Sequence, residues 1–217
     1  DFPEYKGLQL RVPPFLELLK WLQESGFTKM QISTPGAIGV AGLMAAKLLQ
    51  IETSSTYHTS FPEYVEDYTR DISPEALSLA EENKARLHAD NVRLLHSDLF
   101  SAVAGEVYDL IVTNPPYVTI EEVAALPEEY DHEPELGLVA GEDGLDLALR
   151  ILRDAPAHLA PGGLLVCEVG ESERALAALL PQVPFAWVEF KVGQMGIFAI
   201  DREALVEHHT AIKALAD

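Results

Sequence analysis

Residues Tyr108–Thr113 read as a short buried strand that stops at Asn114-Pro115-Pro116-Tyr117. This stop constrains the fold more than any other stretch. Two consecutive prolines fix φ twice and remove two N–H donors, so the strand cannot continue and the chain leaves it as a stiff, extended turn. The proline carbonyls remain free to accept hydrogen bonds. An amide side chain, bare carbonyls and an aromatic ring at the carboxyl end of a buried strand suit the binding of a planar NH2 group. A proline-rich loop that merely ends a strand is the alternative.

The rest of the chain alternates between strand-like and helix-like segments. Pro13-Pro14 opens a helical run through Trp21, with Phe15, Leu18, Leu19 and Leu22 on one face and Gly26 as its stop. Thr28–Ile32 is a strand candidate. A turn at Ser33-Thr34-Pro35-Gly36 leads into a small-residue helix over Ala37–Gln50. Ile51–Glu63 is Ser/Thr-rich, has neither period, and is expected to be an inserted loop. Tyr64–Ile72 is the next strand candidate, with Asp71 at its carboxyl end. Ser73-Pro74-Glu75 then starts a helix, with an N-cap, a first-position proline and an acid in the first turn. Asn91–Leu95 is the third strand, followed by Asp98, Leu99 and Phe100.

Beyond the proline turn, Val118–Leu138 is a long acidic loop of lid-like composition. Leu145–His158 is helical, with Leu145, Leu149 and Leu152 on its core side. Pro161-Gly162-Gly163 is expected to turn into a strand over Leu164–Val169, and Glu171–Leu180 to be helical. Phe185–Val192 and Gly196–Asp201 read as two strands, and their short connection requires antiparallel pairing. Arg202–Ala216 is a terminal helix. Alternating strands and helices predict an α/β fold with a mainly parallel sheet.

Charge narrows the partners. The formal net charge is −20 and the pI is near 4.6. Tight binding to a phosphate backbone needs a basic footprint, so no tight nucleic-acid contact is expected; a small molecule or a basic protein fits better. No apolar run is long enough to span a bilayer, so no membrane association is expected. The single cysteine, Cys167, cannot form an internal disulfide, which suits a reducing cytoplasm. No Cys/His spacing suggests zinc and no glycine-lysine phosphate loop is present, so no metal is expected.

Three runs carry a family resemblance: Asp71-Ile72-Ser73-Pro74-Glu75-Ala76-Leu77, Asp98-Leu99-Phe100 and Asn114-Pro115-Pro116-Tyr117. Together they resemble the seven-stranded, Rossmann-like class I methyltransferase fold that binds S-adenosyl-L-methionine. His132-Glu133-Pro134-Glu135-Leu136-Gly137-Leu138, followed by Gly144-Leu145, is similar to the protein-glutamine N5-methyltransferases of the HemK/Prm group. Leu126-Pro127-Glu128-Glu129-Tyr130 and the run Val183–Phe190 are most similar to its PrmB type, which acts on large-subunit ribosomal protein three.

The resemblance implies roles residue by residue. Asn114, Pro115 and Tyr117 would be catalytic. Asn114, Pro115, Pro116, Tyr117 and Glu133 would bind the substrate glutamine. Asp71, Asp98, Leu99, Asn114 and Gly36 would bind the cofactor. It also implies a catalytic domain over 28–217, a lead-in over 1–27, and no family N-terminal helical domain. One stretch departs from the pattern. Where the family has an acid and a glycine-rich loop, Gln31–Gly39 has neither the acid nor the full set of glycines. A diverged enzyme, a damaged cofactor site and a local frameshift each fit that departure. Other readings stay open as well: a release-factor glutamine methyltransferase, an adenine-N6 nucleic-acid methyltransferase, or a non-catalytic binding module.

Overall fold

Strands of a parallel sheet must be joined by crossovers, and the chain supplies helices for them. The structure is a computed structural model and describes residues 15–33, 37–58, 81–82, 84–86, 88–117, 144–188 and 196–216. The described residues hold seven strands, mainly parallel with an antiparallel pair near the C-terminal end. They fall into two compact units, one up to Asp98 and one from Leu99.

In the first unit, α1 (Phe15–Ser25) precedes β1 (Lys29–Ser33), and α2 (Ala37–Leu49) leads to β2 (Glu52–His58). Residues 81–82 and 84–86 are helical and precede β3 (Val92–Ser97). β2 lies between β1 and β3 and runs parallel to both, with Gln31 beside Ser54 and Ser55 beside Leu94. Met30 and Ile32 of β1 and Ala45 and Ala46 of α2 are fully buried.

The β2 assignment corrects the expectation of an inserted loop over Ile51–Glu63. A central parallel strand is buried on both faces and usually reads as an apolar run. Here Thr53, Ser54 and Ser55 are buried instead. Two of the hydroxyls are accommodated by partners: Thr53 Oγ1 donates to the Ile51 carbonyl at 3.0 Å, and Arg93 of β3 donates to Ser54 Oγ at 3.0 Å. The strand expected at Tyr64–Ile72 lies outside the described residues, as does Asp71.

In the second unit, β4 (Tyr108–Thr113) pairs in parallel with β5 (Leu159–Glu168). β7 (Ile197–Asp201) pairs antiparallel with β5, and β6 (Ala186–Trp187) pairs antiparallel with β7. Between β4 and β5, α3 (Asp146–Asp154) buries Leu147, Ala148, Leu149, Ile151 and Leu152. Burying each such leucine or isoleucine contributes roughly 1.5–3 kcal/mol. The short α4 (Glu173–Leu179) follows β5.

The C-terminal helix is two helices, α5 (Arg202–Glu207) and α6 (His209–Ala216), broken at His208. Asp201 caps α5, its carboxylate accepting from the Ala204 N–H at 2.7 Å. α6 packs on α3. The turn expected at Pro161-Gly162-Gly163 is part of β5, which starts at Leu159 and shifts register opposite Tyr108 and Leu110.

Candidate active site

The carboxyl ends of β4 and β5 meet in the second unit. Thr113 pairs with Cys167, so Asn114 leaves β4 beside Glu168, the last residue of β5, which still pairs with Ile197. Strand alternation buries Leu165, Cys167 and Val169 on one face of β5 and sets Leu164, Val166 and Glu168 on the other. Pro115 is buried, whereas Asn114, Pro116 and Tyr117 remain partly accessible.

Two polar atoms stand out at this edge. Thr113 Oγ1 and Asn114 Oδ1 are buried without a hydrogen-bond partner among the described residues. A buried acceptor left unpaired costs on the order of 1–3 kcal/mol, so few survive in a native structure without a reason. An amide oxygen in that state, at the rim of a strand end, can receive an N–H from a ligand.

Tyr117 is packed against the loop after β5. Its ring lies on Gly170, where an added Cβ would stand 2.7 Å from Cδ2 and Cζ. Its carbonyl accepts from Ser172 Oγ at 3.4 Å. The Glu168 carboxylate is near enough to act on its hydroxyl electrostatically. Burial, then the negative Glu168 and Glu171, push the Tyr117 phenol above its ordinary value. Burial likewise raises Glu168, with the Tyr117 hydroxyl opposing the shift. Cys167, fully buried next to Glu168, is held far up in its thiol form by burial first and that charge second.

The raised Glu168 carboxyl makes a stability prediction. The folded state holds its proton more tightly than the unfolded state, so its contribution favours folding at low pH. That contribution is lost as pH rises from the unfolded carboxylate range, about 4.3, through the raised folded value. Glu168→Gln is therefore expected to melt above the parent at pH 7–8, with the gap closing toward pH 4.5. Thermal denaturation across that range checks this; a variant that melts lower at pH 8 contradicts it.

Of the residues singled out from the sequence, the structure places Asn114, Pro115, Pro116 and Tyr117 together. Asp98 directly follows β3 and is half-buried, and Leu99 is 5% exposed with φ +45°. Phe100 stacks on His158 at 4.6 Å, which takes one of its faces. Gly36, Asp71 and Glu133 lie outside the described residues. Gln31, where an acid was sought, is fully buried, and its Nε2 donates to Ser33 Oγ at 3.3 Å. The sequence reading assigned nothing to Glu168, Gly170 or Ser172. Their one available signal was an acid followed closely by a glycine at the end of an apolar strand.

Known proteins extend these observations. A family model described as the methyltransferase small domain matches residues 55–126. The ribosomal protein uL3 glutamine methyltransferase of Xanthomonas campestris pv. campestris is 69% identical over 146 residues, covering 67% of this chain and 47% of that protein. Its counterpart in Francisella tularensis subsp. tularensis is 43% identical over 144 residues, covering 66% and 46%. Over two thirds of its length the chain is similar to ribosomal protein glutamine methyltransferases. Its fold is that of the class I methyltransferases: a methyltransferase from Pyrococcus furiosus superposes with a TM-score of 0.54 at 19% identity, covering 90% of this chain and 89% of that one. The chain spans about half the length of the glutamine methyltransferases it matches, 47% for the Xanthomonas protein.

Proposed function

We propose that this chain carries the catalytic part of an S-adenosyl-L-methionine-dependent enzyme that methylates the N5 of a glutamine side chain in ribosomal protein uL3. The observation that carries this reading is the buried Asn114 Oδ1, without a hydrogen-bond partner among the described residues, at the head of a double-proline turn. The name shared by the relatives at 43–69% identity supports it.

A carboxamide nitrogen is a poor nucleophile because its lone pair is delocalised into the carbonyl. In this reading Asn114 Oδ1 and the Pro115 carbonyl accept the two N–H groups of the target amide. Both acceptors strengthen as the nitrogen gains positive charge, which favours the transition state over the ground state. Pro116 stiffens the turn and Tyr117 forms one wall, so that positioning supplies much of the rate. Glu133 belongs to the same substrate site.

Of the residues assigned to the cofactor, Asp98 bears on the fit. A half-buried carboxylate after β3 matches the exocyclic amino group of an adenine. Asp71 would hold ribose hydroxyls, with Leu99, Gly36 and Asn114 completing the set. Bound S-adenosyl-L-methionine supplies an activated sulfonium methyl, so no metal is required. Asp71→Ala is expected to weaken cofactor affinity by about tenfold or more, the scale of a lost charge-assisted hydrogen-bond pair. Calorimetry with S-adenosyl-L-methionine reads this directly, and unchanged affinity removes the ribose assignment.

The same proposal takes 28–217 as the catalytic domain and 1–27 as a lead-in. It places the protein in the cytoplasm, without a membrane or tight nucleic-acid partner. Among the described residues no helix is long and apolar enough to cross a membrane. The −20 net charge complements a basic ribosomal protein. Mass spectrometry of uL3 incubated with the protein and S-adenosyl-L-methionine tests the proposal. A 14-Da gain (one CH2, about 14 Da) on a uL3 glutamine is expected. Methylation of RNA or of a release factor, with uL3 untouched, would overturn it.

A further inference from the structure

The turn Asn114–Tyr117 is held at both ends by β5 and the loop that leaves it. At its start, Thr113 pairs in register with Cys167. At its end, the Tyr117 carbonyl accepts from Ser172 Oγ at 3.4 Å, and the Tyr117 ring lies on Gly170. Ser172 is only 7% exposed, and its own N–H donates to the Val169 carbonyl at 3.0 Å. A hydroxyl so buried is unfavourable unless it is hydrogen-bonded, and alanine would fill the same space without that cost.

Gly144, two residues before α3, keeps this contact open. Its φ is +73°, and a Cβ there would run into the Tyr117 carbonyl and stand 2.6 Å from Ser172 Oγ. The lead-in to α3 and the exit from β5 thus converge on one backbone carbonyl. Between the held ends the chain has little freedom. Pro115 and Pro116 fix φ, and Asn114 and Pro115 each precede a proline, which restricts them as well. A shift of the Tyr117 carbonyl is therefore passed back to Asn114 rather than absorbed on the way.

We propose that Ser172 is a positioning residue for the Asn114–Tyr117 turn: its hydroxyl, in the gap that Gly144 leaves, anchors the Tyr117 carbonyl and so sets the direction of Asn114 Oδ1. The consequence for methylation rests on the function proposed above; the anchoring of Asn114 does not.

The chain has three asparagines, Asn83, Asn91 and Asn114. Labelling their side chains with nitrogen-15 in the full chain gives three NH2 signals, and Asn114 is assigned by its loss in Asn114→Ala. The Asn114 signal is expected to move in Ser172→Ala, and also in Gly144→Ala, which crowds the same carbonyl. The Asn91 signal is the control, because its Nδ2 donates to the Ile51 carbonyl at 3.1 Å within the first unit. It should stay in place in both variants. An Asn114 signal unchanged in Ser172→Ala overturns the proposal. Movement of Asn91 to the same degree would reveal a general disturbance and would overturn it too.

Kinetics with recombinant uL3 supply the second arm. Ser172→Ala is expected to lower kcat by roughly tenfold, the scale of one lost hydrogen bond, with KM within about twofold and Tm close to the parent's. On the Asn114→Ala background the same change should cost little more, since the atom it positions is gone. Losses that multiply there, or a fall in Tm with kcat unchanged, would overturn the proposal. If the parent leaves uL3 unmethylated while Asn114 still responds to Ser172→Ala, the methylation reading falls and the positioning contact stands.

Discussion

Replacing Asn114 by alanine is expected to lower kcat for glutamine methylation by on the order of 10²–10³-fold, the scale of losing one preorganised acceptor in a water-poor site. Affinity for S-adenosyl-L-methionine should stay within a few-fold, because the Asn114 oxygen acts mainly on the amide that receives the methyl. Stability should hold or rise slightly, since the alanine removes a buried oxygen that has no partner among the described residues. Steady-state kinetics, calorimetry and thermal melts on one preparation separate the three statements. An equal loss of turnover and cofactor affinity would sink the acceptor role. A large fall in melting temperature would show that the oxygen is structurally engaged.

The second large effect concerns stability. Gly196 precedes β7 at φ +52°, and a Cβ there would run into the carbonyl of Gly170. Its own carbonyl accepts from the Val169 N–H at 2.7 Å, so the two backbones cannot separate without breaking that bond. Gly196→Ala is expected to cost roughly 2–4 kcal/mol, combining a left-handed backbone penalty of about 1 with the cost of overpacking against main chain. For a chain of this size that is a fall of about 5–15 °C in Tm. Gly162→Ala is the control. Its φ is +74°, but nothing lies within 4 Å of the added carbon. If the two variants melt alike, the contact with Gly170 has no energetic weight. The damage should also reach function, because Gly170 seats the Tyr117 ring.

Several elements were readable from local pattern. β4 was bounded correctly at Tyr108 and Thr113 because an apolar run met two prolines. The stripe Leu145, Leu149 and Leu152 named the buried face of α3. β2 was not readable, because its Thr and Ser residues look like a loop, and the partners of Thr53 and Ser54, the Ile51 carbonyl and Arg93, show only in the fold. β5 was cut short at its glycines because a register shift beside Tyr108 leaves no local trace.

The site divides in the same way. Asn114 was found from its own neighbours along the chain. Glu168 was missed because its relation to Tyr117 depends on the register that sets Thr113 beside Cys167. A pairing register is a property of two strands, and neither strand's sequence states it alone.

The buried oxygen of Asn114 also bears on which side chains the site refuses. Glutamine and glutamate have nearly the same shape, so a pocket cannot separate them by size. An acceptor already stripped of water, backed by a proline carbonyl, meets an NH2 group with complementary charge and a carboxylate with opposed lone pairs. Sites built to hydrogen-bond a donor reject analogues that lack it by about 10⁴-fold or more. Discrimination between amide and acid would therefore be set before any methyl moves, by an oxygen that no other described residue engages.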